Sequence, residues 1–183
     1  MYKTTLVALF FVVNFISNTA FCQSPYEFNK KREITLYGAG AAFLGAGIYA
    51  GSQLEVLTAE EIGVLDRNAV NSFDRGATFN YSEKAGSLSD DLLLSSQVLP
   101  LVFLSHQKTR KDFGKIMLMY GESWLLTTGF TNLTKRVAKR TRPFVYNPEV
   151  DISEKQLLSA RRSFFSGHTS STTANYFFTA KVF

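Results

Sequence analysis

The chemistry in this chain is concentrated in two short segments. Residues 132–146 (NLTKRVAKRTRPFVY) place Lys135, Arg136, Lys139, Arg140 and Arg142 within eight positions, with no Asp or Glu among them. Like charges at helical spacing repel, and a solvated face would carry acidic partners three or four residues away. The cluster therefore requires an external anion. Pro143 disfavours helix at the residue before it, so Arg142 is expected to be extended, with its guanidinium free to fork onto an oxyanion. Lys135 stands seven residues earlier, about two helical turns or about 10 Å of rise. The two cations can meet on one side if the chain bends at Pro143.

The second segment is residues 163–170 (SFFSGHTS). Small polar residues just before an apolar run predict a helix start, with Ser166 as N-cap or first residue. Gly167 lets an anion approach the backbone closely, and the free N–H groups of a helix N-terminus bind one. His168 falls in the first turn, beside the bound group. The other histidine, His106, is expected at the far end of the preceding helix from Lys135, away from this chemistry.

Lys135, six residues, Arg142-Pro143 and then Ser166-Gly167-His168 resemble the first two signature motifs of the type-2 phosphatidic acid phosphatase superfamily. That superfamily includes lipid phosphatases, bacterial non-specific acid phosphatases and vanadium haloperoxidases. The resemblance covers about residues 66–183, including Phe73-Asp74-Arg75 and Ser89-Asp90. Phe165 stands where the family has proline, and is expected to pack as a hydrophobic staple.

The resemblance implies that Lys135, Arg142, Ser166 and Gly167 bind the phosphoryl group and that His168 protonates the departing alcohol. Arg136, Lys139, Arg140, Arg161 and Arg162 would be accessory cations that concentrate anions or touch a lipid headgroup. The family's third motif, Ser-Arg, five residues, His, has no counterpart after His168. A C-terminally incomplete domain is therefore expected, with the histidine nucleophile beyond Phe183 and the fragment alone inactive. The implied reaction is hydrolysis of phosphomonoesters or pyrophosphates, of membrane lipids first, through a phospho-histidine intermediate. The alternatives are a soluble periplasmic acid phosphatase and, behind it, a haloperoxidase, the one case in which a cofactor (vanadate) is expected. No Asp, Glu and His group has metal-ligand spacing, so no metal is expected. Secretion separates the basic cluster from nucleic acid, which is not an expected partner.

These residues must be positioned by helices, because no alternating strand pattern of any length occurs. The expected class is all-α, a helical bundle of the phosphatase and haloperoxidase type. Helices are predicted over residues 34–51, 58–73, 91–105 with a kink at Pro100, 113–133, and from Ser166 onward. Thr58 with Glu61 forms a capping box. Gly38, Ala42, Ala46 and Ala50 recur every four residues and predict a smooth ridge for close helix packing. Residues 34–51 carry no charge and reach the lower edge of membrane-span length.

With 45% apolar residues, 17 Phe and 8 Tyr among 183, the chain can build a core and lacks the composition of a disordered one. Residues 132–162 hold eight Lys/Arg against three acids, a surplus equal to the chain's whole net charge of +5. Lys3, the apolar run 6–13 and the small residues Ala20 and Cys22 read as a signal peptide over 1–22, leaving 23–183 as the phosphatase domain. Cys22 is the single cysteine, which excludes an intrachain disulfide. The expected location is the cell envelope, membrane-associated, with the site facing the periplasm. The partners are a phosphorylated lipid or small phosphate ester and the membrane itself.

Overall fold

Every regular element among residues 24–182, those described in this computed structural model, is helical. The all-α expectation holds, and the expected signal peptide lies outside the described residues. Four long helices carry the architecture: α1 (Lys30–Ser52), α2 (Glu83–Gln97), α3 (Phe113–Ala138) and α4 (Gly167–Val182).

α1 and α3 run parallel. Tyr37 donates from its hydroxyl to Leu118 O, Gly40 lies against Leu125 and Leu126, Gly47 against Leu133 and Gly51 against Arg136, so both residue numbers rise together. The small residues that permit this approach are Gly40, Gly47 and Gly51. The predicted ridge begins at Gly38, which faces open space. Four-residue spacing marked the wrong stripe; the packed positions recur every seven, with Glu33, Gly40 and Gly47 buried. Glu33 meets Glu122 of α3 at the start of this seam. Both are buried, and one oxygen of each has no donor among the described residues.

α4 runs antiparallel to α3 and parallel to α2, and a buried polar layer ties the three. Asn175 donates from Nδ2 to Ser96 Oγ (2.9 Å) and accepts from the Tyr120 hydroxyl (3.2 Å). Phe103 and Ile116 are fully buried at this end, and Phe178 packs its ring on Phe103 and Tyr120. A second small core of Leu57, Val145 and Ala160, flanked by Ile62, Leu65 and Phe144, holds the loops at the opposite end.

The predicted helix over 58–73 is three short pieces, Ala59–Gly63, Arg67–Ala69 and Ser72–Arg75. The Thr58–Glu61 capping box forms. Asp66 and Asn71 then accept backbone N–H bonds from Asn68 and Phe73, offering the chain local turns instead of continued helix. Ser82 caps α2, which starts at Glu83, eight residues before the predicted start at 91. Pro100 lies in a 3₁₀ segment, Leu99–Leu104, that extends α2. Lys30–Ser52 and Glu83–Leu104 are each long and apolar enough to cross a membrane, with 11% and 17% of their most apolar stretches buried inside the protein.

Candidate functional site

α3 ends at Ala138, where Lys139 adopts a left-handed conformation (φ 48°) and donates from its N–H to Lys135 O. The helix thus stops well before Pro143, and the reversal leaves Lys135 in the last turn. Pro143 has the predicted effect on its neighbour: Arg142 is extended (φ −72°, ψ 145°). Its N–H donates to Ala160 O (2.7 Å), and Ser163 N–H donates to Arg140 O (3.0 Å). Two backbone bonds therefore hold residues 140–142 beside 160–163.

Ser166 caps α4, its Oγ accepting from Thr169 N–H (3.2 Å) and from the Thr169 hydroxyl (3.0 Å). This leaves the early N–H groups of the first turn free of intrahelical partners. Phe165 packs on Phe130 of α3, ring centroids 6.0 Å apart. It is not a staple onto α4, because the fourth helical position is Ser170.

Lys135, Arg142, Ser166, Gly167 and His168 line one cleft of about 570 Å³. The Lys135 ammonium lies over Gly167, where a methyl group would stand 3.1 Å from Nζ. Neither Lys135 nor Arg142 has an ion-pair partner among the described residues. Burial, and then the Arg142 and Arg162 charges, hold the Lys135 ammonium below the usual lysine range. Burial and the Arg162 charge lower Arg142 likewise. Unpaired, half-buried cations lowered by burial and by neighbouring positive charge fit a site waiting for an anion.

Of the accessory cations, only Arg162 lines the cleft. Arg136 lies across Gly47 and Gly51 of α1. Arg140 is ion-paired with Asp74 at 2.5 Å, Arg161 donates to Glu55 O, and Lys139 forms the helix cap. His106 caps the short helix Gln107–Lys111, its Nδ1 accepting from Lys108 N–H, at the other end of α3.

Sequence reasoning assigned no role to Asp90, Tyr81 or Glu154. Asp90 Oδ1 lies 2.6 Å from His168 Nε2. This contact fixes the orientation of the ring and favours a proton on Nε2. Tyr81 and Glu154 also line the cleft. Ser89-Asp90 fell within the family resemblance, but nothing in that segment marked a contact with His168, 78 residues away, and Glu154 entered only as one of three acids in the basic stretch 132–162. No group of three or more His, Cys, Asp or Glu able to hold a metal occurs among the described residues.

No family model matches this chain, and no curated protein or solved structure matches it.

Proposed function

We propose that the cleft binds a phosphoryl group and that the protein acts in hydrolysis of phosphomonoesters or pyrophosphates. One observation carries this reading: Lys135, Arg142 and the N-terminus of α4 converge on one cleft, and neither cation is ion-paired among the described residues. In this reading the free N–H groups at Gly167 and His168 cradle phosphoryl oxygens and stabilise charge as it develops. Ser166 donates its hydroxyl proton, since its lone pairs serve Thr169. His168 hands a proton to the leaving oxygen while Asp90 steadies the imidazolium. The family resemblance adds a histidine nucleophile, which forms a phospho-histidine that water then hydrolyses; the cleft of this chain holds one histidine, His168.

A lipid substrate is favoured by a second, apolar groove that meets the cleft at Ser166 and is lined by Phe165, Thr173, Ala174 and Phe177. Mostly unburied apolar helices support a membrane location for the same protein.

The test is titration calorimetry with inorganic phosphate. Binding should weaken about tenfold or more in Lys135→Ala and in Arg142→Ala, the loss of one charge-assisted hydrogen bond. Absence of binding, or binding indifferent to both changes, would end this reading.

A further inference from the structure

Arg162 stands apart from the other accessory cations. The two backbone bonds between residues 140–142 and 160–163 place it beside Arg142. Its Nε–H donates to Leu158 O (3.1 Å), which fixes the guanidinium plane and leaves both terminal nitrogens without an acceptor among the described residues. It lines the same cleft as Lys135 and Arg142 and has no ion-pair partner among the described residues. Its charge contributes to the depressed affinity for protons of both.

The cleft sets three positive charges against one lining carboxylate, Glu154, which is ion-paired with none of them; the cations repel one another, and the cost falls with each negative charge admitted. A singly charged diester leaves most of that repulsion in place. A doubly charged terminal phosphoryl group relieves more of it, and its three free oxygens offer an acceptor to each cation. Building on the proposed phosphate site, we infer that Arg162 is its third cationic ligand and makes the cleft selective for phosphomonoester dianions over phosphodiester monoanions. The cleft then recognises the charge state of the ester before any chemistry begins, whether the monoester is free or borne by a lipid.

The experiment compares phenyl phosphate with diphenyl phosphate at pH 8, by calorimetry on the chain and on Arg162→Gln, with Arg161→Gln as control. Arg162→Gln should weaken phenyl phosphate about tenfold or more and diphenyl phosphate several-fold less. Arg161→Gln should alter neither. Equal loss for both ligands, or no loss for either, overturns the inference. A second measurement needs no variant: phenyl phosphate should protect Arg162 and Arg142 from phenylglyoxal, read by peptide mass spectrometry, while Arg161 still reacts. Arg162 modified at an undiminished rate would also overturn it. Vesicles of phosphatidylcholine with and without phosphatidic acid separate a lipid-borne monoester from a free one. If phosphate binds and depends on Lys135 but not on Arg162, the inference alone fails. If the wild-type chain binds no phosphate, the site reading fails with it.

Discussion

A methyl group at position 167 would touch Lys135 Nζ at 3.1 Å and Thr131 Cγ2 at 3.6 Å. The lysine end can give way by a few tenths of an ångström, so Gly167→Ala should leave thermal stability nearly unchanged. It should still weaken phosphate binding several-fold, because the ammonium moves off the oxygens it would contact. A large fall in melting temperature would instead show that Gly167 serves the fold. At this scale much of the site was legible: Lys135, Arg142, Ser166, Gly167 and His168 lie in segments whose local chemistry announces an anion. The roles of the extra cations were not. Arg140 and Arg162 look alike in the sequence, and only the fold pairs one with Asp74 and turns the other into the cleft. Asp90 escaped for the same reason, lying 78 residues from its contact with His168.

Helix positions were easier to read from sequence than helix contacts. Gly129 and Gly38 make the contrast testable. A methyl on Gly129 would stand 2.8 Å from Gly40 O and 3.0 Å from Leu44 N, both backbone atoms that cannot swing aside. Gly129→Ala should therefore destabilise by about 1–3 kcal/mol, the usual cost of overpacking. Gly38 faces open space in a helix interior, so Gly38→Ala should stabilise by about 0.5–1 kcal/mol. Paired chemical-denaturation curves measure both, and the same sign for the two would contradict the α1–α3 seam. Lys139 offers a further check. A residue with a side chain at φ 48° costs energy that glycine does not incur. Lys139→Gly should raise stability by up to about 1 kcal/mol, read as a higher denaturation midpoint. The helix runs five residues past its predicted end at 133, and its stop was not legible because a lysine carries no mark of a left-handed cap.

Across the whole molecule, both loops that build the cleft lie at one end of the bundle, with the carboxyl ends of α1 and α3. The opposite end gathers Lys30, Lys31, Arg32, Lys108, Arg110 and Lys111, with Lys115 donating to Tyr26 O beside them. If the apolar helices cross a bilayer, retention of that basic end on the cytoplasmic side would turn the cleft outward. Single cysteines in a Cys22→Ala background can decide it. Phe73→Cys, at a position 93% exposed near the cleft, should react with a membrane-impermeant maleimide on intact cells, and Lys108→Cys should not. Equal labelling would rule out that orientation. The all-helical class could be read from composition and periodicity. The parallel pairing of α1 and α3 could not, because periodicity gives a helix's face and not its direction. That pairing also sets a clock. Tyr37 finds Leu118 across 81 residues of chain. At roughly 5–20 residues per second of synthesis, α1 waits roughly 4–16 s before its partner exists. During that interval its glycine seam and Glu33 have nothing of this chain to lie against, so a nascent α1 needs a holding surface that the finished protein no longer requires.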